Sequence, residues 1–158
     1  MELKELMAAF AAETGAAECA PDEDGTYDLS IDDIGMMIEP VGDGSRCTIY
    51  ADLGEPPEEG REEVYRALLE ASFPQDGVTR ATLSIHGGTG RICLHCTESL
   101  ASVDYAAFRT LLEDFVNAAD DWRTKLAAFP GMLAKVKDVV AEAEDESRKM
   151  SADGFMRV

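Results

Sequence analysis

The chain has 158 residues, 46% hydrophobic and 29% charged, which fits one globular domain with a single core and excludes a disordered protein. Its formal charge of −18 argues against binding nucleic acid or inserting into anionic lipid, because phosphate recognition depends on clustered lysine and arginine. No apolar run approaches the ~20 residues that span a bilayer and no basic-then-apolar leader opens the chain, so a cytoplasmic protein is expected, with Cys19, Cys47, Cys93 and Cys96 as reduced thiols.

The opening stretch, from about Glu2 to Thr14, places Leu3, Leu6, Met7 and Phe10 at spacings of three and four. That periodicity predicts a helix with one apolar stripe, and Gly15 suits its left-handed end. "PDEDG" then reads as a turn. It shares carboxylates with a calcium loop but lacks the later ligands and the closing glutamate.

Three strands are expected next. Tyr27, Leu29 and Ile31 alternate with Asp28 and Ser30. Ile34, Met36 and Ile38 share one face, with Met37 and Val41 on the other. Cys47, Ile49, Ala51 and Leu53 alternate with Thr48, Tyr50 and Asp52. Period-two alternation predicts a sheet with one buried face, and "DD" and "GDGS" supply the hairpin turns.

A second helix is predicted from Pro56 and Pro57 to Phe73, its first turn crowded with acidic residues that the helix dipole favours. Two more strands follow, "TRATLSIH" and "RICLHC", joined by the glycine-rich turn "HGGTG". A long helix then carries Phe108, Leu111, Leu112, Phe115, Val116, Ala119, Trp122 and Leu126 at helical spacing. Pro130 and Gly131 are expected to break it. A further helix is weakly apolar along Leu133, Val136 and Val140, and the last residues read as a frayed tail. The whole describes an α+β, two-layer domain: a five-stranded antiparallel sheet in α-β-β-β-α-β-β-α order, with a C-terminal helical extension.

"RICLHC" is the most reactive-looking string. In a strand, Ile92, Leu94 and Cys96 share one face while Arg91, Cys93 and His95 share the other. The two cysteines, spaced C-x-x-C, therefore cannot reach one ion together unless the strand is broken. A thiol or metal protein centred on Cys93, His95 and Cys96, with His86 across the hairpin, stands as an alternative reading. The plainer one makes Cys96 a small core residue and His95 a surface residue. "HGGTG" has no nucleophile elbow to serve as an oxyanion loop and no following G-K-S/T to bind phosphate. No carboxylate pair stands out as an acid and base. Neither a catalytic residue, a metal ligand nor a cofactor is expected.

An apolar surplus does stand out. Leu3, Leu6, Met7 and Phe10 on a terminal helix, and Met36, Met37 and Ile38 in one strand, exceed what a single core layer needs. Tyr50, like Met37, falls on the outer face of its strand. Either self-association or the C-terminal helix covers these residues, or they form a partner-binding surface where methionine adapts to varied side chains.

Several segments together resemble the type III secretion chaperones of the Tir-chaperone (CesT-like) family: "LKELMAAFAAETG", "LSIDDIGMMIEPVGDG", "ADLGEPPEE" running into "ALLEASF", and "LASVDYAAFRTLLEDFVNAADDWRTKL". The last is the most specific, with Phe115, Val116, Asn117, Ala119 and Trp122 similar to the family's final-helix core. The resemblance covers about residues 1–128 and leaves 129–158 as the extension and tail. It implies a non-enzymatic cytoplasmic homodimer that binds the N-terminal segment of a secreted effector in extended form and passes it to components of the secretion apparatus. It further implies an apolar binding patch at Leu3, Leu6, Phe10, Met37 and Tyr50. Dimerisation is expected through the second helix, about Glu58 to Phe73, at Val64, Tyr65, Leu68, Leu69 and Ser72. A regulatory adaptor of the same fold without a secretion role is a third reading.

Overall fold

The computed structural model describes residues 1–15, 20–73 and 80–154, with side chains along the last helix described as far as Met132 and again at Lys137. The predicted Cys19 thiol lies outside the described residues, as does the end of the predicted frayed tail "SADGFMRV" (155–158), whereas its first four residues, 151–154, are the helical end of the last helix.

Helix α1 spans Leu3–Thr14. Glu2 caps it through a reciprocal box with Glu5, and Gly15 closes it in the left-handed conformation at φ 71°. Strands β1 (Tyr27–Ile31), β2 (Ile34–Val41) and β3 (Arg46–Gly54) form a meander, followed by α2 (Arg61–Ala71), β4 (Thr82–Ile85), β5 (Ile92–Ser99) and α3 (Tyr105–Gly154). All strand pairs are antiparallel, in the order β1-β2-β3-β5-β4. The fold class and element order are those the alternation predicted.

The β1–β2 hairpin turns on Asp32 and Asp33 alone, both at positive φ (49° and 65°). A two-residue turn of this hand needs positive φ at both positions, and aspartate tolerates it better than most residues. Arg123 Nη1 of α3 donates to the Asp33 carbonyl at 2.9 Å and ties the turn to the helix layer.

One sheet face is covered. Ile34, Met36, Ile38, Ile49, Ala51, Ile92, Leu94 and Cys96 share a core with Leu6, Met7 and Phe10 of α1 and Phe108, Leu112, Phe115 and Ala119 of α3. The cluster, which also takes in Val64 and Leu68 of α2, joins three helices to one sheet face, so α1 spends its whole apolar stripe inward.

Two expectations about helices are corrected. The second helix begins at Arg61 rather than at the prolines, because Gly60 takes a left-handed backbone (φ 71°) that a helix interior cannot hold. Pro56 and Pro57 lie in the connection before it. The predicted break at Pro130 and Gly131 is absent: α3 runs through both as one helix of 50 residues. Proline removes one backbone hydrogen bond and crowds the preceding turn, costing ~3 kcal/mol. Leu126 and Phe129, packed against the core just before it, hold the helix on that side; the Lys137–Glu59 ion pair beyond it is solvent-exposed and adds little.

Candidate partner-binding surfaces

The expected patch on α1 is not a surface. Leu3, Leu6 and Phe10 are 5%, 0% and 8% exposed. The sequence counted one layer of core, whereas α1 and α3 together form a layer that needs the full apolar stripe of both. Phe10 keeps one route to the outside: it lines a groove of about 480 Å³ with Ser30, Ile31, Leu112 and Val116. The groove opens between α1 and α3 beside β1, which is an edge strand of the sheet.

At the rim of that groove, Glu13 receives the Tyr105 hydroxyl and pairs with Arg109 Nη1 at 3.1 Å, while Arg109 Nε also reaches Glu113 at 2.9 Å. The hydrogen bond to Glu13 pushes the Tyr105 hydroxyl above its ordinary pKa. None of these rim residues stood out in the sequence. Tyr105 and Arg109 do sit four apart on α3, but only the crossing of α1 over α3 reveals Glu13 as their shared partner.

Met37 and Tyr50 do lie on the open face, half-buried. They are directly paired across β2 and β3, and the Tyr50 hydroxyl donates to Met37 Sδ at 2.9 Å. Their row continues to Asp28 on one side and to His95 and Thr82 on the other, crossing all five strands. Burial, with the Glu39 and Asp28 charges, raises the Tyr50 pKa, so this hydroxyl stays a donor at neutral pH. The surrounding face is mostly polar. Thr48 and Thr97 bond across β3 and β5 at 3.0 Å.

The residues expected at a dimer contact divide by face. Val64 and Leu68 are buried in the chain's own core, at 1% and 4% exposure. Their i, i+4 spacing turns them toward the sheet. Tyr65 is partly buried, and Ser72 Oγ accepts the Leu83 amide of β4 at 3.3 Å. Leu69 points outward at 75% exposure, and Phe73, just past the helix, at 72%. The outward apolar surface of α2 is therefore Leu69 and Phe73.

"RICLHC" forms β5 with the face split that alternation predicts: Ile92, Leu94 and Cys96 buried, Cys93 and His95 half-buried on the open face. Burial pushes the Cys96 thiol up to about 12 and the Cys47 thiol up to about 11. Burial and the Asp52 charge raise Cys93 as well. These thiols are protonated at neutral pH, the unreactive form. His86 is occupied by Thr89, whose amide and hydroxyl lie 3.2 and 3.1 Å from Nδ1. Among the described residues no three histidine, cysteine or carboxylate side chains are grouped to hold a metal ion. No helix among them is long and apolar enough to cross a membrane.

Residues 5–123 match the family model described as the Tir chaperone protein (CesT) family. The fold is similar to that in the structure of the ExsC–ExsE complex (22% identity, 80% of this chain and 97% of that one, TM-score 0.64). It is also similar to a chain of the HopA1–SchA chaperone–effector complex (15% identity, 77% and 92%, TM-score 0.64). A third likeness is to the Yersinia pestis type III secretion chaperone SycH in complex with a stable fragment of YscM2 (15% identity, 74% and 96%, TM-score 0.58). No curated protein matches the chain in sequence.

Proposed function

The chain belongs to the Tir chaperone (CesT) family, and from that premise we propose that it is a cytoplasmic homodimeric chaperone for a protein exported by type III secretion. Family membership makes it a chaperone rather than an enzyme. Its client is bound stoichiometrically through an N-terminal segment held in extended form. The client stays soluble until components of the secretion apparatus accept it.

The observation that carries this reading is the groove of Phe10, Ile31, Leu112 and Val116 beside the edge strand β1. An edge strand offers its outward backbone groups to an incoming strand, and a neighbouring apolar groove takes that strand's side chains. The solved relatives support it, since one is a chaperone–effector complex and another a secretion chaperone holding a fragment of a second protein. Met37 and Tyr50 extend the binding surface onto the open sheet face. Self-association uses α2, where Leu69 and Phe73 are exposed.

The test is native co-purification, with the captured protein identified and the complex treated with protease. A secreted protein is expected, with its N-terminal segment protected. Ile31→Asp, placed in the groove, is expected to abolish capture while the fold persists. Capture only of proteins that the cell never secretes would favour the adaptor reading and overturn this one.

A further inference from the structure

The two-residue turn fixes which backbone groups β1 leaves free. Ile31 and Ile34 flank Asp32 and Asp33 and pair with each other. Such a flanking pair exchanges both of its backbone hydrogen bonds, and bonded and unbonded pairs then alternate along the ladder. Tyr27, Leu29 and Ile31 therefore bond β2. Asp28 and Ser30 turn their amides and carbonyls to the free side, since β1 is an edge strand. An incoming strand bonds at Asp28 and Ser30, whichever way it runs.

That register assigns faces to the incoming side chains. The residue paired with Asp28 carries its side chain on the open face, beside the Asp28 carboxylate. The residues on either side of it point to the covered face, toward the partly buried Leu29 and Ile31 and, past Ile31, the groove.

Both faces of this edge are acidic. On the open face, Asp28 is paired with Met37, and Glu39 lies diagonally beyond it on β2. Arg46, on the same face, is paired with Val41, about 13 Å along β2 from Met37. The groove is bordered by Glu13, Asp32 and Glu113 with one cation, Arg109, which Glu13 and Glu113 already hold at 3.1 and 2.9 Å. Among the described residues no ion pair engages Asp28, Asp32 or Glu39. An acidic incoming residue would meet like charge directly opposite, which destabilises a ladder. An apolar one would cover the Asp28 carboxylate without pairing it.

We propose that the client segment added to β1 alternates apolar and basic side chains, with a lysine or arginine paired opposite Asp28 and its neighbours turned toward the groove. The proposal rests on the client binding read above and gives that client a charge pattern. Tyr50 lies two strands in from β1, roughly 10 Å away. It serves the client through apolar contact, while the choice of charge falls to Asp28.

Native capture followed by calorimetry on the full chain tests this, with the client's protease-protected segment, made as a synthetic peptide, as the probe. Its sequence is expected to carry lysine or arginine at alternate positions among apolar residues. Acidic or uncharged residues at those positions overturn the proposal. Asp28→Asn is expected to weaken peptide binding about threefold and Asp28→Lys about tenfold, each with the far-UV circular dichroism of the parent. The peptide's basic residues are also replaced by glutamate one at a time. One of these peptides should bind the parent about tenfold more weakly and regain its affinity with Asp28→Lys. Should Asp28→Lys lose structure, Asp28→Asn decides by no longer discriminating between that peptide and the original. Unchanged affinity for the Asp28 variants, beside the loss of capture in Ile31→Asp, overturns the charge pattern and leaves the groove reading standing. Capture that survives Ile31→Asp overturns the groove reading itself, and the proposal with it.

Discussion

Leu68 and Leu69 are consecutive in α2 yet occupy opposite environments, one 4% exposed and the other 75%. A helix turns about 100° per residue, so neighbours in sequence need not share a face. Leu68→Ala should remove buried contacts and lower unfolding stability by about 2–4 kcal/mol. Leu69→Ala should leave the unfolding stability of the isolated chain within ~0.5 kcal/mol and weaken self-association instead. Urea unfolding at a concentration too low for association, read beside sedimentation, separates the two effects. A large stability loss for Leu69→Ala in the monomer would mean that its exposure has been misjudged.

Salt should act on self-association in a definite direction. Each copy carries a formal charge of −18, so two copies repel across any apolar contact. Screening shortens the reach of that repulsion to about 8 Å near physiological ionic strength. The dimer constant should therefore tighten as salt rises from dilute buffer. Tightening on dilution of salt would indicate an interface held mainly by opposite charges.

On the open face, Tyr50→Phe removes only the hydroxyl that Met37 Sδ accepts. The pair is partly exposed, so the cost in stability should stay within ~1 kcal/mol. Tyr50→Glu adds a charge next to Asp28 and Glu39, whose charges already act on this position. It should weaken binding of the captured client about tenfold, with little change in melting temperature. Equal client affinity for Tyr50→Glu and the parent, by calorimetry, would confine the binding surface to the groove side.

The thiols should report burial. With Cys19 replaced by serine, a disulfide-exchange reagent at pH 8 should modify Cys93 slowly and leave Cys47 and Cys96 untouched until denaturant is added. The raised thiol pKa values, about 11 and about 12, favour the folded state wherever the thiols are protonated. That contribution is complete below the unfolded value near ~8.5 and is lost as pH rises toward the folded values. Rapid reaction of Cys96 in the folded chain would revive the thiol reading of "RICLHC".

Asp52 gives the acid-side counterpart. Burial alone would raise its carboxyl, but the Arg91 guanidinium and the Gly54 amide bond to it, and with the Arg91 charge hold it below the usual carboxylate range. A depressed folded pKa stabilises above the unfolded value near ~3.9 and is lost as pH falls through the folded one. Asp52→Asn should therefore lower stability at pH 7 and flatten its decline below about pH 4. Parallel curves for the two proteins would show the bridge contributes nothing.

The five strands and their faces were legible because period-two alternation is local, and each strand shows it within its own residues. Ile49, Leu94 and Cys96 could be placed inward, and Tyr50 and His95 outward, from spacing alone. The groove was not legible. Its floor and rim combine Phe10 and Glu13 of α1, Ile31 of β1, and Tyr105, Arg109 and Leu112 of α3, which only packing brings together. The α1 stripe was misread as surface for the same reason, since α3 returns from the far end of the chain to sit beside it.

By itself the sequence determined the element order, the inward face of every strand, the acidity, and the family to which the residues of the last helix point. These follow from local periodicity and composition. The tertiary structure decided which apolar residues remain outside. It placed Leu3, Leu6, Val64 and Leu68 in the core and left Leu69, Phe73 and Met132 in solvent. It also carried α3 through Pro130, a local helix breaker, where Leu126 and Phe129 of the preceding turn pack against the core. Exposure is a property of two elements meeting, and no single stretch of sequence contains both.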